Sequence, residues 1–144
     1  MCIRDSIKAP KVFAVDTGLA AHLLGADRSR VELDGSLAGS LIESFVVGEI
    51  FKLASWSDSR PAISFFRTSD GREVDLVVET RSGAIAGVEV KAGQTVSSSD
   101  FRGLRTLADL VGSRFTAGVV LYTGAETVAF GERLFAVPVN KLWT

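Results

Sequence analysis

Two apolar, strongly β-forming runs carry charges at alternating positions, and this constrains the chain more than any other feature. The first run is Glu73-Val74-Asp75-Leu76-Val77-Val78-Glu79; the second ends in Val88-Glu89-Val90-Lys91, and Arg81-Ser82-Gly83 lies between them. A three-residue hairpin loop favours a left-handed residue at its last position, and Gly83 supplies it. With Thr80 opposite Ala84, Asp75 falls opposite Glu89, and Glu73 opposite Lys91. Period-two alternation then gathers Glu73, Asp75, Glu89 and Lys91 on one face. It leaves Val74, Leu76, Val78, Val88 and Val90 on the other.

Directly opposed carboxylates have Cβ atoms roughly 4.5–5.5 Å apart, and their charges repel. A bound cation reverses the sign of that interaction. Mg²⁺, or Mn²⁺ in its place, takes oxygen ligands and is commonly held by one or two carboxylates together with phosphate and water. Asp75 and Glu89 suit that role, with the Val90 carbonyl as a further oxygen. Lys91 points the same way. Its ammonium can orient or deprotonate an attacking water, or stabilise charge on a phosphate. Alternating charge also marks ordinary half-exposed sheets, in which Glu73–Lys91 and Glu89–Lys91 are solvated pairs. Against that stands Glu43, set in the apolar run Leu41-Ile42-Glu43-Ser44-Phe45-Val46-Val47. A helix apolar on most sides packs deeply and draws Glu43 toward the sheet; Glu49, nearly two turns on, is a weaker candidate.

Around the hairpin the spacing predicts a strand at 11–15, a short helix capped by Asp16 or Thr17 and stopped at Gly25, and a long helix from Gly35–Ser36 to about Ser55. Strands follow at 62–68, 73–79 and 84–91. A second helix, capped by Ser97, Ser98 or Ser99 and ended by Gly112, carries Phe101, Leu104, Leu107, Ala108 and Val111. Strands at 117–123 and 134–139 close the domain. The fold class is α/β, a mixed central sheet with helices on both faces. At 144 residues, 47% of them hydrophobic, the chain is long enough for one domain with a real core.

Composition narrows the function. A single cysteine, Cys2, excludes a disulfide framework and a cysteine-based zinc site. No long uncharged apolar run and no secretory signal is visible, so a reducing, cytoplasmic setting is expected. A formal net charge of −1 argues against a general nucleic-acid coating protein and permits a local basic groove, or a partner that supplies the positive surface. Arg102 and Arg105, three apart on one helix face, can line such a groove, although a solvated helix face is the preferred reading. Arg67 is expected to pair with Glu73 or Asp75, with a phosphate contact as the alternative. His22 is structural, since no nucleophile–base arrangement surrounds it. Trp56 and Trp143 are read as packing anchors, and Phe65 and Phe66 as core residues on opposite faces.

The first six residues, Met1-Cys2-Ile3-Arg4-Asp5-Ser6, resemble a translated adapter artefact found at the ends of metagenomic assemblies. The expected organisation is a non-native leader at 1–6, a connecting segment at 7–35 and the main domain at 36–144, the C-terminal part of a longer protein. The helix glutamate, the strand aspartate and the Glu89-Val90-Lys91 triplet, in the order helix, three strands, helix, strand, resemble the PD-(D/E)xK nuclease superfamily. Further segments are similar to the domain of unknown function that follows an AAA-type ATPase module in many prokaryotic proteins. They are Lys11-Val12-Phe13 with Asp16-Thr17-Gly18-Leu19, Phe65-Phe66-Arg67-Thr68 with Gly71, Val137-Pro138-Val139, and Leu142-Trp143. The resemblance implies an αβββαβ restriction-endonuclease-like core, roles for Glu43, Asp75, Glu89 and Lys91, divalent-metal binding and an ATPase upstream. No GxxxxGK[ST] loop is present, so ATP is not bound in that way here. The expected function is Mg²⁺-dependent phosphodiester hydrolysis on DNA. The alternative is a non-catalytic module that binds protein or nucleic acid and regulates its own ATPase.

Overall fold

The computed structural model describes residues 11–143, so the expected leader at 1–6 lies outside the described residues. Three helices come first: α1 (Thr17–Leu23), α2 (Arg28–Leu33) and α3 (Gly35–Trp56). Each is capped by an aspartate carboxylate that accepts orphan backbone N–H groups of the first turn. Asp16 serves Leu19, Asp27 serves Arg30, and Asp34 serves Ser36 and Leu37. Asp34, one residue before the expected start, therefore begins the long helix. Helix α2 was not anticipated; its only local signals are the Asp27 cap and an Arg28–Glu32 pair one turn apart.

Strands β1 (Ala62–Arg67), β2 (Glu73–Glu79) and β3 (Ile85–Lys91) follow, then α4 (Arg102–Val111), β4 (Phe115–Tyr122), β5 (Val128–Gly131) and β6 (Leu134–Pro138). The sheet order is β1-β2-β3-β4-β6-β5. Neighbours pair antiparallel from β1 to β3, parallel from β3 through β4 to β6, and antiparallel between β6 and β5. The architecture is thus mixed α/β, with a six-stranded mixed sheet and flanking helices. A single 3₁₀ turn, Ser98–Phe101, leads into α4. Ser97 and Asp100 form a reciprocal capping box there, and Gly112, at φ +59°, ends the helix.

Two apolar clusters lie on opposite faces of the sheet. One joins Phe101, Leu104, Leu107 and Val111 to Phe66, Val74, Val77, Ile85 and Val120. The other joins Ile42, Val46 and Ile50 of α3 to Val88, Val90, Val119 and Leu121. Adjacent Val120 and Leu121 fall in different clusters, as period-two alternation requires. Among the described residues no helix is long and apolar enough to cross a membrane.

Four expectations need correction. Residues 11–15 form no strand; Val12 and Val15 are 85% and 101% exposed. Trp56 is no packing anchor, at 79% exposed. Phe65 is half exposed whereas Phe66 is buried. The clean partition of hairpin faces also fails: Val74 joins Val77 and Ile85 beneath α4, while Val88 and Val90 pack under α3. The cause is a bulge. Between the Ser64–Val77 and Phe66–Val74 pairs, Asp75 and Leu76 oppose the single residue Phe65. The extra residue inverts the alternation along β2.

Candidate functional site: an acidic cluster with an internal ammonium

The hairpin register is the one its turn dictates. Gly83 sits at φ +84°, the Thr80 N–H donates to the Ala84 carbonyl at 2.9 Å, and Leu76 pairs with Val88. The β2–β3 ladder stops at that pair. Beyond it, at the bulge, Asp75 replaces ladder bonding with its side chain: its Oδ2 accepts the Val90 N–H at 2.8 Å. Asp75 is 5% exposed and the only charged residue among the buried ones described. Asp75 and Glu89 are therefore not ladder partners, and neither are Glu73 and Lys91. Val90 offers Asp75 its N–H rather than its carbonyl, while its side chain packs under α3.

The other oxygen of Asp75 receives the Lys11 ammonium, which also forms an ion pair with Glu43 Oε1 on α3. Burial pulls the Lys11 pKa down, and hydrogen bonding and attraction to Asp75 and Glu43 outweigh it, so the net shift is upward. Burial raises the Glu43 pKa against the opposing pull of Lys11. Lys11 was expected in a strand. No local pattern could place it here, because it contacts Asp75 across 64 positions of sequence.

Glu89 and Lys91 open onto a cleft of about 610 Å³ whose lining also includes Arg72, Glu73, Asp100 and Arg102. Glu89 Oε1 accepts from Lys91 Nζ at 3.1 Å, and Glu89 Oε2 is buried without a partner. Burial first, then the Asp75 charge, pushes the Glu89 pKa up to about 7. Burial pulls the Lys91 pKa down, but attraction to Glu89 overrides it and the net shift is upward, so Lys91 stays protonated at neutral pH.

The Glu89 shift has a thermodynamic consequence. Between pH 4.5 and about 7 the folded chain holds a proton that the unfolded chain has released, so stability falls as pH rises through this window. The loss is at most roughly 3 kcal/mol. Urea unfolding from pH 4.5 to 8 should show this slope, and Glu89→Gln should flatten it and be the more stable protein at pH 8. An unchanged slope in the variant would refute the assignment.

The remaining expected residues divide. Arg67 pairs with Glu73 at 2.8 Å, as anticipated. Arg102 lines the cleft, but Arg105 does not: it donates to the Ser98 carbonyl at 2.8 Å and lies over the Phe101 ring. Glu49 is off the site, bound to Lys52 and to the Trp143 indole. Trp143 packs on Phe45. His22 sits in α1, exposed and away from the cluster.

The donors are all carboxylate oxygens, which suit a hard cation. Among the described residues, no three acidic, imidazole or thiol side chains converge closely enough to form a metal site by themselves. A two-carboxylate site completed by water and substrate phosphate remains compatible with the unpartnered Glu89 oxygen and with Asp75 beside it.

These elements define a mixed α/β domain with an acidic cluster where β2 and β3 diverge. The chain belongs to the family described as "Domain of unknown function (DUF4143)", which matches residues 38–142. It is similar to the uncharacterized proteins Rv2008c of Mycobacterium tuberculosis and Mb2031c of Mycobacterium bovis. Each is 32% identical over 139 residues, which is 95% of this chain. The match spans 29% of the length of either relative.

Proposed function

We propose that this is a nuclease-like domain of the PD-(D/E)xK type that holds Mg²⁺ or Mn²⁺ at Asp75 and Glu89 and hydrolyses phosphodiester bonds in DNA. The observation that carries this reading is Glu89: a buried, unpartnered carboxylate oxygen, beside the second carboxylate Asp75 and the ammonium of Lys91, in a residue that lines an open polar cleft. The element order α3-β1-β2-β3-α4-β4 is the order the sequence resemblance implies. The short match to much longer relatives supports a place as one part of a larger chain, and an upstream AAA-type ATPase is the partner we propose.

Each residue has a physical task. A divalent cation bound here would polarise a phosphate and activate water. Asp75 and Glu89 supply oxygens to hold it. Lys91, whose ammonium donates to Glu89 at 3.1 Å, stands where it can stabilise negative charge on a phosphate. Glu43 holds its place against Asp75 from α3. Arg102, and Arg72 in its pair with Asp70 at 3.2 Å, are the cleft guanidinium groups that would meet a nucleic-acid backbone among its carboxylates.

The test uses Mn²⁺ and supercoiled plasmid. Mn²⁺ should raise the melting temperature, and cutting should require the metal and fall at least about 100-fold in Lys91→Ala. Stabilisation without cutting would turn the conclusion to a non-catalytic binding module. The exposed apolar side chains of α3, among them Phe51 and Trp56, favour that second reading.

A further inference from the structure

Lys11 belongs to no helix or strand, yet its ammonium reaches the most buried carboxylate among the described residues. It contacts Asp75 and Glu43 together and lies 3.8 Å from Glu73 Oε2. Its side chain is 21% exposed. A buried carboxylate with a half-buried one beside it calls for a cation, and here the chain provides a monovalent one from outside the sheet. The segment behind it joins no strand; Val12 and Val15 face solvent, and Phe13 and Ala14 are only half-buried. A segment with few buried contacts opens locally at small cost.

We propose that Lys11 is a built-in counter-ion that holds the Asp75 oxygen a divalent cation shared with Glu89 would take, so that the cation binds only as the 11–15 segment withdraws. The proposal rests on the metal-binding reading above. It adds Lys11 as a site residue and makes the 11–15 segment the element that controls access. By linkage, whatever draws that segment away raises the affinity for the cation, and the cation in turn releases the segment. Lys11→Met removes the competing charge while keeping the side chain's length. Its partners Glu43 and Asp75 then present uncompensated negative charge to an incoming ion.

The experiment combines Mn²⁺ calorimetry with amine acetylation of the whole chain, read by mass spectrometry. In the unsubstituted protein, Mn²⁺ should raise the acetylation rate of Lys11 several-fold and leave exposed Lys52 and Lys141 unchanged. Lys11→Met should bind Mn²⁺ about tenfold more tightly, and Lys11→Arg, which keeps the charge, should not. Mn²⁺ binding with no change in Lys11 reactivity would overturn the proposal while leaving the metal site standing, as would equal or weaker binding in Lys11→Met. Absence of Mn²⁺ binding in both proteins would remove the metal site and this proposal with it. Should Lys11→Met fail to fold, the labelling of the unsubstituted chain decides alone.

Discussion

Gly103→Ala is expected to destabilise the domain by about 3 kcal/mol and to lower its melting temperature by roughly 10 °C. Gly103 lies in α4, where the carbonyl of Glu73 in β2 approaches the helix. A Cβ there would stand 1.9 Å from that oxygen and 2.9 Å from its carbon. Neither atom belongs to a flexible side chain, so the whole helix must lift off the strand. Phe101, Leu104 and Leu107, all fully buried, lift with it. Helix propensity alone predicts the opposite sign, since alanine is favoured over glycine in a helix interior by about 1 kcal/mol. Gly48 in α3 provides the control. Nothing lies within 4 Å of a Cβ built there, so Gly48→Ala should be neutral to stabilising. Thermal unfolding of both variants checks the pair; a Gly103→Ala protein as stable as the parent would sink the packing account. The same contact sets α4 against the end of β2 where the cleft opens, so cleft shape should change with stability in this variant.

The second large effect is expected at Asp75. In Asp75→Ala the Val90 N–H loses its acceptor at a buried site, and Lys11 loses one of its two close carboxylate partners and keeps only Glu43. An orphaned amide and a broken, largely buried ion pair together cost about 3 kcal/mol, reduced from the fully buried case because Lys11 can reach water. Asp75→Asn keeps an acceptor for Val90 and should lose only about 1 kcal/mol. The two substitutions separate structure from cation binding. Both should abolish Mn²⁺-induced stabilisation, although only the alanine variant is severely weakened. Urea unfolding with and without Mn²⁺ measures both quantities. Undiminished Mn²⁺ stabilisation in Asp75→Asn would exclude Asp75 as a metal ligand.

Much of the fold was legible because its signals are local. Asp16 and Gly83 occupy their expected cap and turn positions, and Gly112 ends α4. The spacing of Phe101, Leu104, Leu107 and Val111 marked the buried stripe of α4. The hairpin register followed from one glycine. Helix α2 escaped because six residues with no buried side chain leave no apolar period to read. Residues 11–15 have strand composition but no pairing partner among the described strands, and composition alone cannot supply one.

The candidate site divides along the same line. Sequence by itself determined which side chains have an unusual address: charges at Asp75, Glu89 and Lys91 inside apolar strands, and Glu43 inside an apolar helix. Each is set by the alternation or periodicity of its own segment. Only the tertiary structure decided how they are wired. The bulge opposite Phe65 ends the β2–β3 ladder before Asp75 can face Glu89, and the freed Val90 N–H goes to the Asp75 carboxylate. The ammonium between Glu43 and Asp75 comes from Lys11. The reason is physical: a buried carboxylate takes whichever donor and cation the folded chain brings within reach, and that reach is a property of packing, not of neighbours in sequence.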